Sequence, residues 1–223
     1  MNYKIFNLAF GKRMLILLFG FFLIALGIVI ALKGKVGVNP WDVLHQGVAL
    51  HTGLPIGLVN IIVGMVVLLL GVFIKVYPGF GTILNIAVIG SIIDVLMKII
   101  PEANGFVEGI AFNIVGSIIM ALGVSLYLFT KTGAGPRDSF MLGIMQRYRI
   151  DTKYVKPAIE GVVLIIGIIL GGNFGIGTFI SLLVTGYMVD VFFKLLNFDP
   201  KVEKQLNMIE QIKTLRQVEC SCK

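Results

Sequence analysis

This sequence predicts an all-α membrane protein of six transmembrane helices, built as two inverted three-helix repeats. Three observations carry that prediction. The 223 residues are 57% hydrophobic and only 14% charged, with a mean hydropathy of +0.95, too little charge to coat a water-soluble domain of this size. Residues 20–98 reappear as 116–194 at a constant offset of 96, with 23 identities over 79 paired positions. Many of those identities are Gly, Pro, Asp or Lys, which apolar composition alone does not line up, and a doubled unit is how many secondary transporters are built. Each copy holds three apolar stretches, and an odd number of crossings sets the second copy upside down relative to the first.

In the first copy the stretches run near 14–32, 56–74 and 82–100; in the second, near 110–129, 155–171 and 178–196. Each is close to the roughly 20 residues that cross a bilayer. The first could pass for a signal peptide after Lys12-Arg13. However, it lacks a small-x-small cleavage site, and Gly20, Ala25, Leu26 and Gly27 recur as Gly116, Ala121, Leu122 and Gly123. It is therefore expected to be retained as part of the repeat. The chain divides into an N-terminal membrane repeat (1–109), a C-terminal inverted repeat (110–196) and a short cytoplasmic tail (197–223).

Between the first and second stretch of each copy lies a shorter element, about 40–51 and 136–149, too short to cross. Phe140, Met141, Ile144, Met145 and Tyr148 mark one face of an amphipathic helix, and Trp41, Leu44 and Val48 mark the matching face. Pro40 suits a first helical turn, Asn39 suits the N-cap and Asp42 favours the positive end of the helix dipole. Gly135, Pro136 and Asp138 take the same places in the second copy. Two placements are open. A re-entrant half-helix would aim its start at a central cavity; an interfacial helix would lie on the membrane surface, its Asp merely capping it.

Charge placement tests the inversion independently. With the N-terminus inside, the cytoplasmic segments hold Lys4, Lys12 and Arg13, then Lys75, then Lys131, Arg137, Arg147, Arg149, Lys153 and Lys156, then the tail from Lys201. The outer side receives Lys33, Lys35 and the boundary Lys98, with Glu102 and Glu108. Positive charge thus favours the inside, with both termini cytoplasmic. The net charge of +7 is explained by these flanks and by anionic lipid, so no nucleic-acid partner is expected. Cys220 and Cys222 read as reduced thiols on the tail, and Glu203, Met208, Ile209, Ile212 and Leu215 permit a short surface helix there.

Two constellations could carry function. The first is the pair of short-helix starts, with Asn39, Pro40, Asp42, Pro136 and Asp138. The second is Gly-Thr-x7-Gly-x3-Asp on the third span of each copy, ending at Asp94 and Asp190. Carboxylates inside a span are expensive and point to cation, proton or polar-substrate handling. Against this, Lys98 and Lys194 follow four residues later, so each Asp could instead form an ion pair along its own helix. Glu160 has a ready partner in Lys156, and His45 reads as a hydrogen-bonded edge residue. Gly79-x-Gly81-Thr82 and Gly175-x-Gly177-Thr178 lack the Lys of a nucleotide loop and read as tight turns opening a helix. No catalytic set, metal set or cofactor motif is present, so the chain is not expected to be an enzyme.

Gly37-Val-Asn-Pro-Trp-Asp-Val-Leu-His-Gln-Gly, then Thr52-Gly53 with Gly57, then Gly79-x-Gly81-Thr82 and Asp94, resembles the YczE/YitT family of small bacterial integral membrane proteins. The resemblance covers nearly the whole chain before the tail and implies a bacterial inner membrane. The expected function is a secondary transporter of a small solute, with proton coupling one option. Asn39, Pro40, Asp42, Asp94, Pro136, Asp138 and Asp190 would line its pathway. The alternative is a non-transporting scaffold or accessory protein of a biosynthetic or export complex. The expected partners are the lipid bilayer and a small solute, with homo-oligomerisation left open.

Overall fold

The structure, a computed structural model, describes residues 10–150 and 152–198. Those residues form eight helices: α1 (Phe10–Lys33), α2 (Pro40–Thr52), α3 (Ile56–Phe73), α4 (Phe80–Ile99), α5 (Phe106–Phe129), α6 (Pro136–Tyr148), α7 (Thr152–Ile169) and α8 (Ile176–Leu195). Each of the last four has the bounds of one of the first four displaced by the offset of 96. The sequence repeat is therefore also a repeat of helix starts and stops. The tail helix and both cysteines anticipated from the sequence lie outside the described residues.

Five helices are long and apolar enough to cross a membrane: α1 from Gly11, α3, α4, α5 and α8. The sequence predicts six. The exception is α7, whose bounds lie within three residues of the expected span of 155–171 but whose first half holds Lys153, Lys156 and Glu160. Large apolar side chains face outward along the qualifying helices, with Phe73 83% and Leu183 75% exposed, as expected of surface that meets lipid rather than water.

The centre of the fold is a seam of glycines between α1 and α5. A Cβ on Gly27 would lie 2.5 Å from the Gly116 carbonyl oxygen, and one on Gly116 2.6 Å from that of Gly27. Gly20 meets Gly123, and Gly34 meets Gly109, in the same reciprocal way. Residue numbers rise along α1 as they fall along α5, so these repeat-mates run antiparallel. Small residues at seven-residue spacing let the two backbones touch.

Two further contacts lock the copies together. The Gly177 N–H donates to the Val36 carbonyl at 2.8 Å, and the Gly81 N–H to the Thr132 carbonyl at 2.8 Å; the two bonds are related by the offset. Gly37 and Gly133 turn the chain here with φ of +106° and +113°, a left-handed region open to glycine. There is no room for a side chain either: a Cβ on Gly37 would sit 2.6 Å from the Gly175 nitrogen. The start of each short helix is thus seated on the Gly-x-Gly-Thr turn of the other copy. As expected, Thr82 serves its turn, accepting the Gly79 N–H at 3.1 Å; it also donates to the Ala134 carbonyl at 2.6 Å.

The ends of α1 and α4 lie together, joined by Ala103 N–H to the Lys33 carbonyl at 3.0 Å. Glu102 pairs there with Lys33 at 3.7 Å and with Lys35. The hydrogen bond from Lys35, and the charge of both lysines, hold the Glu102 carboxyl below its usual range.

The helices fall into two groups. α4 packs on α1 and α8 on α5, flanking the glycine seam, whereas α2 packs on α7 and α3 on α6. The groups meet unevenly. α3 lies along α4, with a Cβ on Gly90 placed 2.5 Å from the Gly57 carbonyl, but α7 makes no comparable contact with α8, and Gly186, the mate of Gly90, has nothing within 4 Å. Asp94 closes the packed side: its Oδ1 accepts the Gly57 N–H at 2.7 Å in the first turn of α3. Asp94→Ala leaves that donor without its partner and should lower the thermal midpoint by the equivalent of about 1–2 kcal/mol, whereas Asp94→Asn keeps an acceptor and most of the stability. Melting of the detergent-solubilised variants checks this.

Candidate functional site

The two short helices begin inside the protein. Pro40, Asp42, Val43, His45 and Gly47 are buried on α2, and Pro136 is buried at the start of α6. Proline occupies a first-turn position in both, where a missing N–H costs nothing. Asn39 holds the N-cap position but makes no side-chain cap. Its amide instead points at the Met120 sulfur, 3.8 Å away, and the first turn of α2 closes through the Asn39 carbonyl, which accepts from Asp42 and Val43.

A polar cluster joins these starts. His45 is 1% and Asp42 2% exposed. The Arg137 guanidinium of α6 donates through Nη2 to His45 Nε2 at 3.2 Å and stacks 4.7 Å from the Trp41 ring centroid. On the far edge of the imidazole, Nδ1 lies 3.5 Å from Asp42 Oδ1 and 3.4 Å from the Asn60 amide nitrogen of α3. Arg137 is within electrostatic reach of both Asp42 and Asp138. Asp138 accepts the Tyr127 hydroxyl at 2.6 Å, and that same oxygen accepts the Gly135 N–H at 3.1 Å. Tyr127 of α5 thus satisfies the backbone N–H of Gly135, the N-cap residue of α6. One buried atom is left over: Asp42 Oδ1 has no hydrogen-bond partner, an expensive condition for a carboxylate oxygen.

Of the residues anticipated from the sequence, Asn39, Pro40, Asp42, Pro136 and Asp138 come together at these helix starts. Asp94 and Asp190 do not join them. Asp94 caps α3 as described, and Asp190 is exposed on α8. Neither forms, within 4 Å, the ion pair along its own helix that Lys98 and Lys194 offered. Glu160 likewise senses Lys156 and Asp138 only at longer range. His45 is not an edge residue but the link between α2 and α6.

Sequence reasoning missed Arg137, Tyr127, Trp41 and Asn60 as members of one site. One signal was available. Trp41 and Arg137 are mates under the offset of 96, and mates that touch must straddle the axis relating the copies. A mate pair in which tryptophan faces arginine is a stacking pair in waiting. Tyr127 stands where the first copy has Ala31, which gives no such hint.

The profile of the family of unknown function DUF6198 matches residues 11–194. A Haemophilus influenzae protein is 32% identical over 185 residues, which are 83% of this chain and 85% of that one. The membrane protein YczE of Bacillus subtilis is 31% identical over 172 residues, 76% of this chain and 80% of its own. YyaS of the same bacterium is 23% identical over 177 residues, 78% and 88% of the two chains. No solved structure matches. Since the family profile runs over all but the outermost residues of the eight helices, the chain belongs to the DUF6198 family and is a YczE-like membrane protein.

Proposed function

We propose that this protein is a secondary transporter of a small solute, with six crossings of a bacterial cell membrane and both termini cytoplasmic. It is no enzyme in this reading. α7 supplies the sixth crossing, its charged first half turned to the cytoplasmic end, and α2 and α6 are re-entrant. Their starts meet in the polar cluster, which is the solute site. The antiparallel seam of α1 and α5 supports the inversion of the second repeat, and the placement of lysine and arginine supports the orientation.

One observation carries the reading: the repeat-related interfaces α3–α4 and α7–α8 are in opposite states, one packed and one apart. Exchanging them gives a second conformer in which the cluster opens towards the other membrane face, which is what alternating access requires of inverted repeats. A scaffold has no use for two such states.

Spin labels at Leu69 and Ala87 on α3 and α4, and at their mates Ile165 and Leu183 on α7 and α8, test this with Cys220 and Cys222 replaced by serine. In lipid nanodiscs, each pair is expected to populate two distances, with the short distance of one matched by the long distance of the other. A single fixed distance per pair, together with no solute-dependent flux in liposomes, would favour the scaffold.

A further inference from the structure

We propose that Asp42 and His45 form a one-proton site, and that loading it breaks the hydrogen bond joining the two short helices. The roles of the ring nitrogens follow from the partners. Arginine only donates, so His45 Nε2, 3.2 Å from Arg137 Nη2, is an acceptor and carries no proton. The imidazole is therefore neutral, with its hydrogen on Nδ1, facing Asp42 Oδ1 at 3.5 Å. That separation is at the outer limit of a hydrogen bond, and Oδ1 has no other partner. The Asn60 amide nitrogen lies 3.4 Å from the same Nδ1; the proposed tautomer requires that amide flipped, with its oxygen accepting from the ring.

Charge counting points the same way. Around the imidazole stand Asp42 on α2, Asn60 on α3, and Arg137 and Asp138 on α6; Tyr127 on α5 holds Asp138, and Glu160 on α7 reaches Asp138 electrostatically. Asp138 has the Tyr127 hydroxyl, and one guanidinium faces two carboxylates. The group is one positive charge short, and the shortfall lies at Asp42. Among the described residues no three His, Cys, Asp or Glu side chains stand where they could hold a metal ion. A proton meets the deficit with no rearrangement of ligands. Taken up from water at Nε2, it forms an N–H bond, turns the acceptor into a donor and makes the ring cationic. Arg137 is then repelled towards Asp138, away from Trp41, while the imidazolium pairs with Asp42.

Only the meaning of this site as a coupling site rests on the transporter reading. The chain carries a single tryptophan, Trp41, so its fluorescence reports the departure of Arg137 from the ring. The full-length protein in nanodiscs should show one fluorescence transition on the acid side of the ordinary histidine range, below about pH 6.5, because a buried ring facing a guanidinium resists a second charge. His45→Gln, which keeps a polar side chain that does not titrate, should remove it. Asp42→Asn should move the midpoint down by about one pH unit or more, since a carboxylate beside the ring favours its charged form. His51→Asn, altering the other histidine, which bonds the Gly47 carbonyl, should leave it unchanged. A flat profile in the unaltered protein, or a transition that survives His45→Gln, would overturn the site.

If His45→Gln fails to give a monodisperse protein, ring-nitrogen chemical shifts of His45 in the His51→Asn background decide instead. The neutral Nδ1–H tautomer at high pH is expected, and the Nε2–H tautomer there would refute the proposal. A transition that behaves as described, without flux of any solute tested, would sink transport and leave the proton site standing. Flux that persists in a protein with no transition would do the reverse.

Discussion

Gly27→Ala is expected to lower stability sharply, and Gly27→Leu to abolish the folded protein. The new Cβ would lie 2.5 Å from the Gly116 carbonyl oxygen and 2.6 Å from the Met120 nitrogen. Both are backbone atoms in the facing helix, so no rotamer change relieves the clash. α1 and α5 must move apart, and the reciprocal contacts at Gly20–Gly123 and Gly34–Gly109 loosen with them. Overpacking of a close-packed interior costs about 1–3 kcal/mol for small insertions, and a leucine exceeds that range. Gly161→Ala is the control: it too lies within a helix, but its Cβ has nothing within 4 Å, and alanine outranks glycine there by about 1 kcal/mol. Size-exclusion thermal melts of the three variants should show Gly161→Ala unchanged or raised, Gly27→Ala lowered, and Gly27→Leu without a monodisperse peak. Equal midpoints for the two alanine variants would mean that the seam is not closely packed.

Arg137→Gln should be the most damaging change among the charged residues. It removes the only cation of the cluster and leaves Asp42 and Asp138 facing each other's field inside the protein. Breaking a buried charge arrangement by deleting one partner costs about 3–5 kcal/mol. Adding Asp42→Asn to Arg137→Gln removes one of the stranded charges and should recover a large part of that loss. A double variant no more stable than Arg137→Gln alone would place the cost in the lost stacking on Trp41 instead. Arg137→Lys separates the two terms further, because an ammonium keeps the charge without the flat guanidinium face.

The helices were legible in the sequence because each is bounded by punctuation that local physics enforces. Pro40 and Pro136 open the short helices, the Gly-x-Gly-Thr turns open α4 and α8, and apolar runs of bilayer length fill the rest. The repeat then checked each boundary against its mate. The site was legible only by half. Its acidic residues were found because a carboxylate in an apolar chain stands out by type. In the sequence Arg137 reads as an orientation signal and His45 as an edge residue, because what gives them their role is each other, 92 positions apart. Asp94 and Asp190 show the converse. Their recurrence marked them as a pair, yet the two halves hold them differently, one bonded to Gly57 and one exposed. Local signals fix elements, whereas contacts across a two-fold relation fix the site.

Gly20 and Gly27 face Gly123 and Gly116, which are their own mates taken in reverse order, so this part of the interface is self-complementary in the manner of a two-fold dimer. A polypeptide of one repeat, inserted into the bilayer in both orientations, would present this same pair of faces to itself. The linker between α4 and α5 is then not what makes the two halves fit. It fixes their number and joins them within one chain, and once they are joined it frees each half to change alone: Trp41 is the mate of Arg137, and Ala31 of Tyr127. The asymmetric chemistry at the centre is what a fused pair can hold and a pair of identical halves cannot.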